Sequence, residues 1–308
     1  MISFVNKIKA DYFAFGIVCV LIATLGLSLK AILIKLVYLA DPNIDAISVL
    51  ALRFVIAMPL FLLLLKYAAP EMQIDKSQHN NLSMVVILGA VGFYLSAFLD
   101  FSSLAYITAG LERLILFLYP TFVVIITYFI RPNELSSKTL IALAVSYLGV
   151  AIVFMEHAST FDEGVLTGVI LVFAAAIIFA VYTVASVKQI KHFGSIRFTT
   201  YAMTAATLVT LIHALTVHGV SFFAQSMEVY GLIFIMALAA TVMPLILMAE
   251  GVKRIGASNS SIISTSGPIV TLLLAYMILG ETFGVLQGIG AVFIIGGVFL
   301  IARQKNKR

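Results

Sequence analysis

Seven charged side chains interrupt stretches of sequence that are otherwise apolar: Lys30, Lys35, Arg53, Asp100, Glu112, Arg113 and Glu250. Glu112 and Arg113 stand together at the start of "GLERLILFLYPTFVV", Gly110 to Val124, and Pro120 sits in its middle. A carboxylate beside a guanidinium can hold a solute of both signs, or the two can neutralise each other. Chemistry of another kind would need a nucleophile with a base, or a cluster of metal ligands. His213 and His218 stand in neither a HExxH nor a GxSxG context, so an intramembrane enzyme is the weaker class. No GxxxxGK[ST] pattern is present to bring ATP, and no cofactor is expected.

The elements that position these charges are set by the solvent. The chain has 308 residues, of which 62% are hydrophobic and 11% charged, and its mean hydropathy is +1.13. A soluble domain carries about a quarter charged residues, so this chain expects lipid around it. A span needs roughly 20 apolar residues. Ten such segments are predicted, at about 13–39, 46–66, 83–105, 108–130, 138–155, 165–187, 198–217, 229–251, 257–279 and 285–302. The first follows Lys7 and Lys9 like a signal peptide, but its apolar run is longer than a signal core and no clean cleavage site follows. The single cysteine, Cys19, excludes an internal disulfide.

The loop charges test this count. Of the 19 Lys and Arg, all but Lys30, Lys35, Arg53 and Arg113 fall at the N-terminus, in even-numbered loops or in the C-terminal tail. The odd-numbered loops, such as "DPNIDA" and "EHASTFDEG", are neutral or acidic. The positive-inside rule then places both termini in the cytoplasm. The formal net charge of +5 reads as membrane orientation, with lipid rather than nucleic acid as the partner.

Depth sorts the buried charges, since a charge at a span centre costs about 2.5–3.5 kcal/mol on insertion scales. Lys35 lies near the outer end of its span and can snorkel. Glu250 has Lys253 and Arg254 beside it for a local pair. Lys30 lies one turn and more deeper than Lys35, which suggests pairing or a polar passage. Arg53 reads equally as a substrate contact or as a brace between helices. Asp100 ends a stripe of Gly89, Gly92, Ser96, Asp100 and Ser103, which suits either a passage wall or close helix approach. Ser258, Ser261, Thr265 and Pro268 make a similar stripe in the ninth span. Arg113 and Pro120 share one helix face, and Glu112 and Tyr119 the adjacent one. Gly284 and Gly288 suit tight packing, or a face for a homodimer if the chain is not a monomer.

An offset of 148 aligns Pro120 with Pro268 and, with them, Ile107 with Ile255, Tyr128 with Tyr276 and Gly149 with Gly297. Gly16 falls near Gly168 at a slightly different offset. A repeat of five helices turns the second copy over in the membrane, the inverted arrangement common among secondary transporters. Each proline also frees a carbonyl one turn earlier, at Leu116 and Ser264, so Pro120 and Pro268 are candidate hinges.

Three segments carry a resemblance: "LALRFVIAMPLFLLL" with Arg53, "YITAGLERLILFLYPTFVV", and "GASNSSIISTSGPIVTLLLAYMILGETF" with its closing Leu-Gly-Glu. Together they make the chain resemble the EamA-type transporters of the drug/metabolite transporter superfamily over essentially its whole length. The first-half counterpart "RPNEL" departs from the Leu-Gly-Glu pattern. The resemblance implies an all-α integral membrane fold of ten transmembrane helices in two inverted five-helix repeats around a central cavity. The repeats would occupy residues 1–155 and 156–308.

The expected function is a secondary transporter, directed outward, that moves a small polar metabolite by alternating access in a bacterial inner membrane. Lys30, Arg53 and Arg113 against Asp100 and Glu112 leave a slight positive excess, which favours an amino acid or carboxylate over a permanent cation. Ser96, Tyr119, Ser261 and Thr265 complete the expected substrate-binding set. Energy would come from the substrate gradient or from proton coupling. A flippase or channel-like facilitator with the same fold is the alternative.

Overall fold

The computed structural model of the chain describes residues 2–67, 79–130, 137–157 and 163–304. These residues form α-helices joined by short turns, with no strand among them. The helices are α1 (Ile2–Ala40), α2 (Ala46–Leu64), α3 (His79–Leu88), α4 (Ser96–Ser103), α5 (Ala109–Leu116), α6 (Tyr119–Ile130) and α7 (Ser137–His157). They are followed by α8 (Glu163–Phe193), α9 (Ser195–His218), α10 (Met227–Ala237), α11 (Met243–Ser264), α12 (Gly267–Leu274) and α13 (Val285–Gln304).

Among the described residues, seven helical stretches are long and apolar enough to cross a membrane. They are Tyr12–Ala40, Ala46–Leu64, Leu82–Ser103, Ala109–Ile130, Glu163–Ile190, Ile196–His218 and Met227–Gly256. Three shorter apolar helices, Leu140–Val153, Gly267–Leu279 and Val285–Leu300, lie where the expected fifth, ninth and tenth spans fall. Large apolar side chains such as Phe129, Met277 and Val285 are exposed on the outside of the bundle, as contact with lipid requires. This is a multi-pass membrane protein.

Polar side chains start several helices sharply. Asp45 caps α2 through the Ser48 amide, Thr108 caps α5 through Leu111, and Ser226 caps α10 through Val229. Each satisfies one amide that a helix start leaves unpaired. Two spans widen into π-helix, at Gly89–Leu95 between α3 and α4 and at Leu238–Val242 between α10 and α11. A third π stretch, Ala275–Leu279, ends at Gly280 in the left-handed conformation, φ 66°.

Both candidate hinges follow interruptions of the α-helical bonding. Turns at residues 117–118, just before Pro120, and at 265–266, just before Pro268, divide the helices there while Phe117 and Ser266 keep right-handed helical dihedrals. A proline in the first turn of a helix loses no bond, because its missing amide would be unpaired there anyway. The prolines therefore begin new helices rather than kink old ones.

Apolar packing concentrates around α1, α2 and α4, where Ile32, Leu50, Leu52, Phe101, Leu104 and Ile233 are buried in one cluster. A second cluster surrounds α5, with Leu111, Leu114, Ile115 and Leu118 against Val169, Val172 and Ile294. Both lie beside the helix segments that carry the buried charges.

Candidate functional site

Three helices bring their charges to one place. Lys30 of α1 donates from Nζ to Oδ2 of Asp100 on α4, and Oε1 of Glu112 on α5 lies 3.6 Å from the same nitrogen. Glu112 is wholly buried, and Asp100 and Lys30 keep side-chain exposures of only 5% and 14%. Lys30 therefore makes an ion pair, one of the two readings that its depth left open. The cluster is under-satisfied: neither Glu112 oxygen, nor Oδ1 of Asp100, accepts from a nitrogen or hydroxyl donor among the described residues. Leaving such groups unmet costs about 1–3 kcal/mol each, more when charged.

The placement of Glu112 follows from how α5 begins. Thr108 caps the helix, which puts Glu112 in its first turn, near the positive end of the helix dipole. Glu281 reaches the same helix start from the turn after Leu279. Its Oε1 accepts from the Ala109 amide at 2.8 Å and its Oε2 from the Gly110 amide at 3.1 Å. This carboxylate belongs to the Leu-Gly-Glu pattern, yet it was not among the expected site residues. No sequence period links positions so far apart; the only signal was an acid next to the glycine that turns the chain.

The Arg113 guanidinium reaches the second break. A Cβ added at Gly267 would sit 3.2 Å from the Arg113 guanidinium, 3.6 Å from Thr24 and 3.7 Å from Ser28. The Ser28 hydroxyl donates to the Gly267 carbonyl at 3.0 Å and so joins α1 to this break. Arg113 has no ion pair or hydrogen bond among the described residues, and its Nε is buried without a partner. Tyr119 lies within electrostatic reach of Arg113 and packs edge-on to Phe179 at 5.1 Å. Glu112 and Arg113, adjacent in sequence, thus face two neighbouring environments, one with an ammonium and one beside a helix start.

Other expected residues sit elsewhere or have structural work. Arg53 donates from Nε to the Thr241 hydroxyl at 2.8 Å and lies over the Phe101 ring at 5.3 Å. These contacts brace α2 against the π stretch at 238–242. The Ser96 hydroxyl donates to the Ala175 carbonyl at 3.1 Å, binding α4 to α8. Gly89 meets the Ala202 backbone and Gly92 the Tyr182 ring, so the upper part of that stripe serves close packing. Thr265 is buried in the break before Pro268. The side chain of Ser261 lies outside the described residues. Glu250 pairs with Arg254 at 2.7 Å, and Lys35 lies within electrostatic reach of Glu281.

Apolar spans that hold a mixed-charge cluster between them define a multi-pass membrane protein with a charged interior. The sequence model of the EamA-like transporter family matches residues 14–155 and again 166–303, and the chain belongs to that family. It is 33% identical over 293 residues to the uncharacterized transporter YcbK of Bacillus subtilis, covering 94% of this chain and 91% of that protein. The uncharacterized transporter YyaM of the same organism is 28% identical, covering 80% of this chain and 81% of that one. A probable terminal-alkyne amino-acid exporter of Streptantibioticus cattleyicolor is 25% identical, covering 78% of this chain and 80% of that exporter. One crystal structure superposes with a TM-score of 0.63 at 16% identity, covering 97% of this chain and 99% of that one, a likeness of fold alone.

Proposed function

We propose that the chain is a secondary transporter that carries a small polar metabolite, an amino acid or carboxylate, outward by alternating access. The observation that carries this reading is the cluster of Lys30, Asp100 and Glu112 with Arg113 beside it, held within largely apolar helices. Charges held at such depth mark solute paths. The exporter among its relatives names an amino acid as its solute, which fits a site bearing both signs.

The architecture we propose is ten spans in two inverted five-helix repeats, at 1–155 and 156–308. Glycine packing supports it at paired positions. Gly16 packs on Ile255 as Gly168 packs on Ile107, and those isoleucines are 148 positions apart. Gly149 meets Gly290 and Ile294, while Gly297 meets Ala142 and Ser146, the same shift on both sides. The π stretches at 89–95 and 238–242, and the breaks before Pro120 and Pro268, also pair at or near this offset. Such halves can exchange roles in rocking, with Pro120 and Pro268 as the hinges. Loop charges support cytoplasmic termini in a bacterial inner membrane. The substrate gradient or a coupled proton supplies the energy of the proposed cycle.

Counterflow in liposomes tests the reading. Unlabelled amino acids or organic acids trapped inside should drive uptake of the labelled compound above its equilibrium level. Uptake that only equilibrates would indicate the alternative, a channel-like facilitator.

A further inference from the structure

We infer that Lys30 is a resident counter-ion of the transport site. Its ammonium holds, in the empty protein, the place between Asp100 and Glu112 that a substrate's ammonium takes, and so sets which net charge is accepted. This rests on the reading of the chain as a carrier of amino acids or carboxylates.

The acceptors are in excess of the donor that serves them. Lys30 makes its hydrogen bond to Oδ2 of Asp100 and only approaches Glu112. Three carboxylate oxygens, both of Glu112 and Oδ1 of Asp100, accept from no nitrogen or hydroxyl donor among the described residues, and the two carboxyls lie within hydrogen-bonding reach of each other. An ammonium brings three donors, so a second one has bonds to make here. Lys30 is the most exposed member of the cluster and has a long flexible stem, so it can swing aside without unfolding its helix. Arg113 lies within electrostatic reach of both acids but makes no salt bridge or hydrogen bond among the described residues, and its buried Nε lacks a partner. Its guanidinium lies against Gly267, where α12 begins and the helix dipole also favours a negative group.

Charge balance makes the arrangement selective. Counted by formal charge, Lys30 and Arg113 balance Asp100 and Glu112. A zwitterion leaves that balance untouched, whereas a simple amine adds a positive charge and a simple carboxylate a negative one. Uncompensated charge is penalised in a water-poor interior. Removing Lys30 changes the rule: the site becomes negative by one, and an amine then restores neutrality.

Reconstituted full-length protein is tested for exchange of three labelled sets: the protein amino acids, the amines left by their decarboxylation, and the acids left by replacing the amino group with hydrogen. Wild type is expected to exchange amino acids and to discriminate against both other sets. In Lys30→Met the ratio of amine to amino-acid exchange should rise by about tenfold or more, as for loss of a charged hydrogen-bond partner. Arg113→Gln, which removes an unpaired and partly exposed group and so spares folding, should shift the ratio in the same direction. A purely structural lysine would lower all exchange in Lys30→Met and leave its ratio unchanged, which overturns the inference whatever Arg113→Gln does. Wild-type exchange of acids or amines as fast as amino acids also overturns it but leaves a carrier. Exchange of none of the three sets contradicts the carrier reading as well.

Discussion

Glu281 and Gly110 are 171 positions apart in the chain, yet a carboxylate oxygen of one accepts the backbone amide of the other at 3.1 Å. With the second bond to Ala109 at 2.8 Å, this side chain satisfies two amides that the start of α5 leaves open. It also anchors the turn after Leu279 to the helix that carries Glu112 and Arg113.

Replacing Glu281 with Gln should therefore cost stability. The amide keeps one acceptor but loses the charge that the helix start favours, a loss of about 1 kcal/mol. Thermal unfolding in detergent micelles should show a melting point lower by a few degrees. An unchanged melting point would mean that the contact contributes nothing in solution.

The two neighbours in α5 should respond unequally to mutation. Arg113→Ala removes the guanidinium at the second break and should lower exchange by about tenfold or more, the cost of a charged hydrogen bond. Glu112→Gln should harm exchange less, because Asp100 still pairs with Lys30 and still offers a free oxygen. Equal losses with intact folding would indicate an obligatory pair or a proton role for Glu112.

A pH effect is expected at the opposite end of α2 from its exposed tail. Burial opposes the charge on Asp45, but the Ser48 side chain, His218 and the Ser48 amide stabilise it and hold its carboxyl below the usual range. His218 Nε2 lies 2.8 Å from Oδ2 of Asp45. A depressed carboxyl contributes stability above its unfolded value, near 3.8, and that contribution disappears as pH falls through the folded value. Wild type should lose melting temperature on acidification that Asp45→Asn does not. At neutral pH, Asp45→Ala should cost about 1 kcal/mol through the lost helix cap.

The paired glycines should behave as a pair. A Cβ at Gly149 would come within 2.6 Å of the Gly290 carbonyl, and one at Gly297 within 2.6 Å of the Ala142 carbonyl. Backbone must move to admit either methyl, so each Ala variant should lose about 1–3 kcal/mol. Melting points of the two single variants should fall together; a shift in one alone would contradict the equivalence of the halves.

These contacts show where sequence alone sufficed. The ion pair of Lys30 could be anticipated because a lone charge in lipid is costly enough to demand a partner, although Asp100 had to be found in space. Pro120 and Pro268 were recognisable as twins because a helix breaker is rare in such runs, but their role at the start of new helices depends on turns at 117–118 and 265–266. Arg53 was balanced between two roles, and only the Thr241 contact in the π stretch reveals the brace. Ser96 and Gly92 lay on the stripe of Asp100, yet they serve α8, since one helix face can meet two different neighbours along its length.

The most direct test of the account is exchange of labelled amino acids and organic acids in liposomes by wild type, Arg113→Ala and Asp100→Asn. The account predicts counterflow by wild type and loss of about tenfold or more in each variant, with folding retained. Wild-type rates in both variants would contradict the assignment of the site.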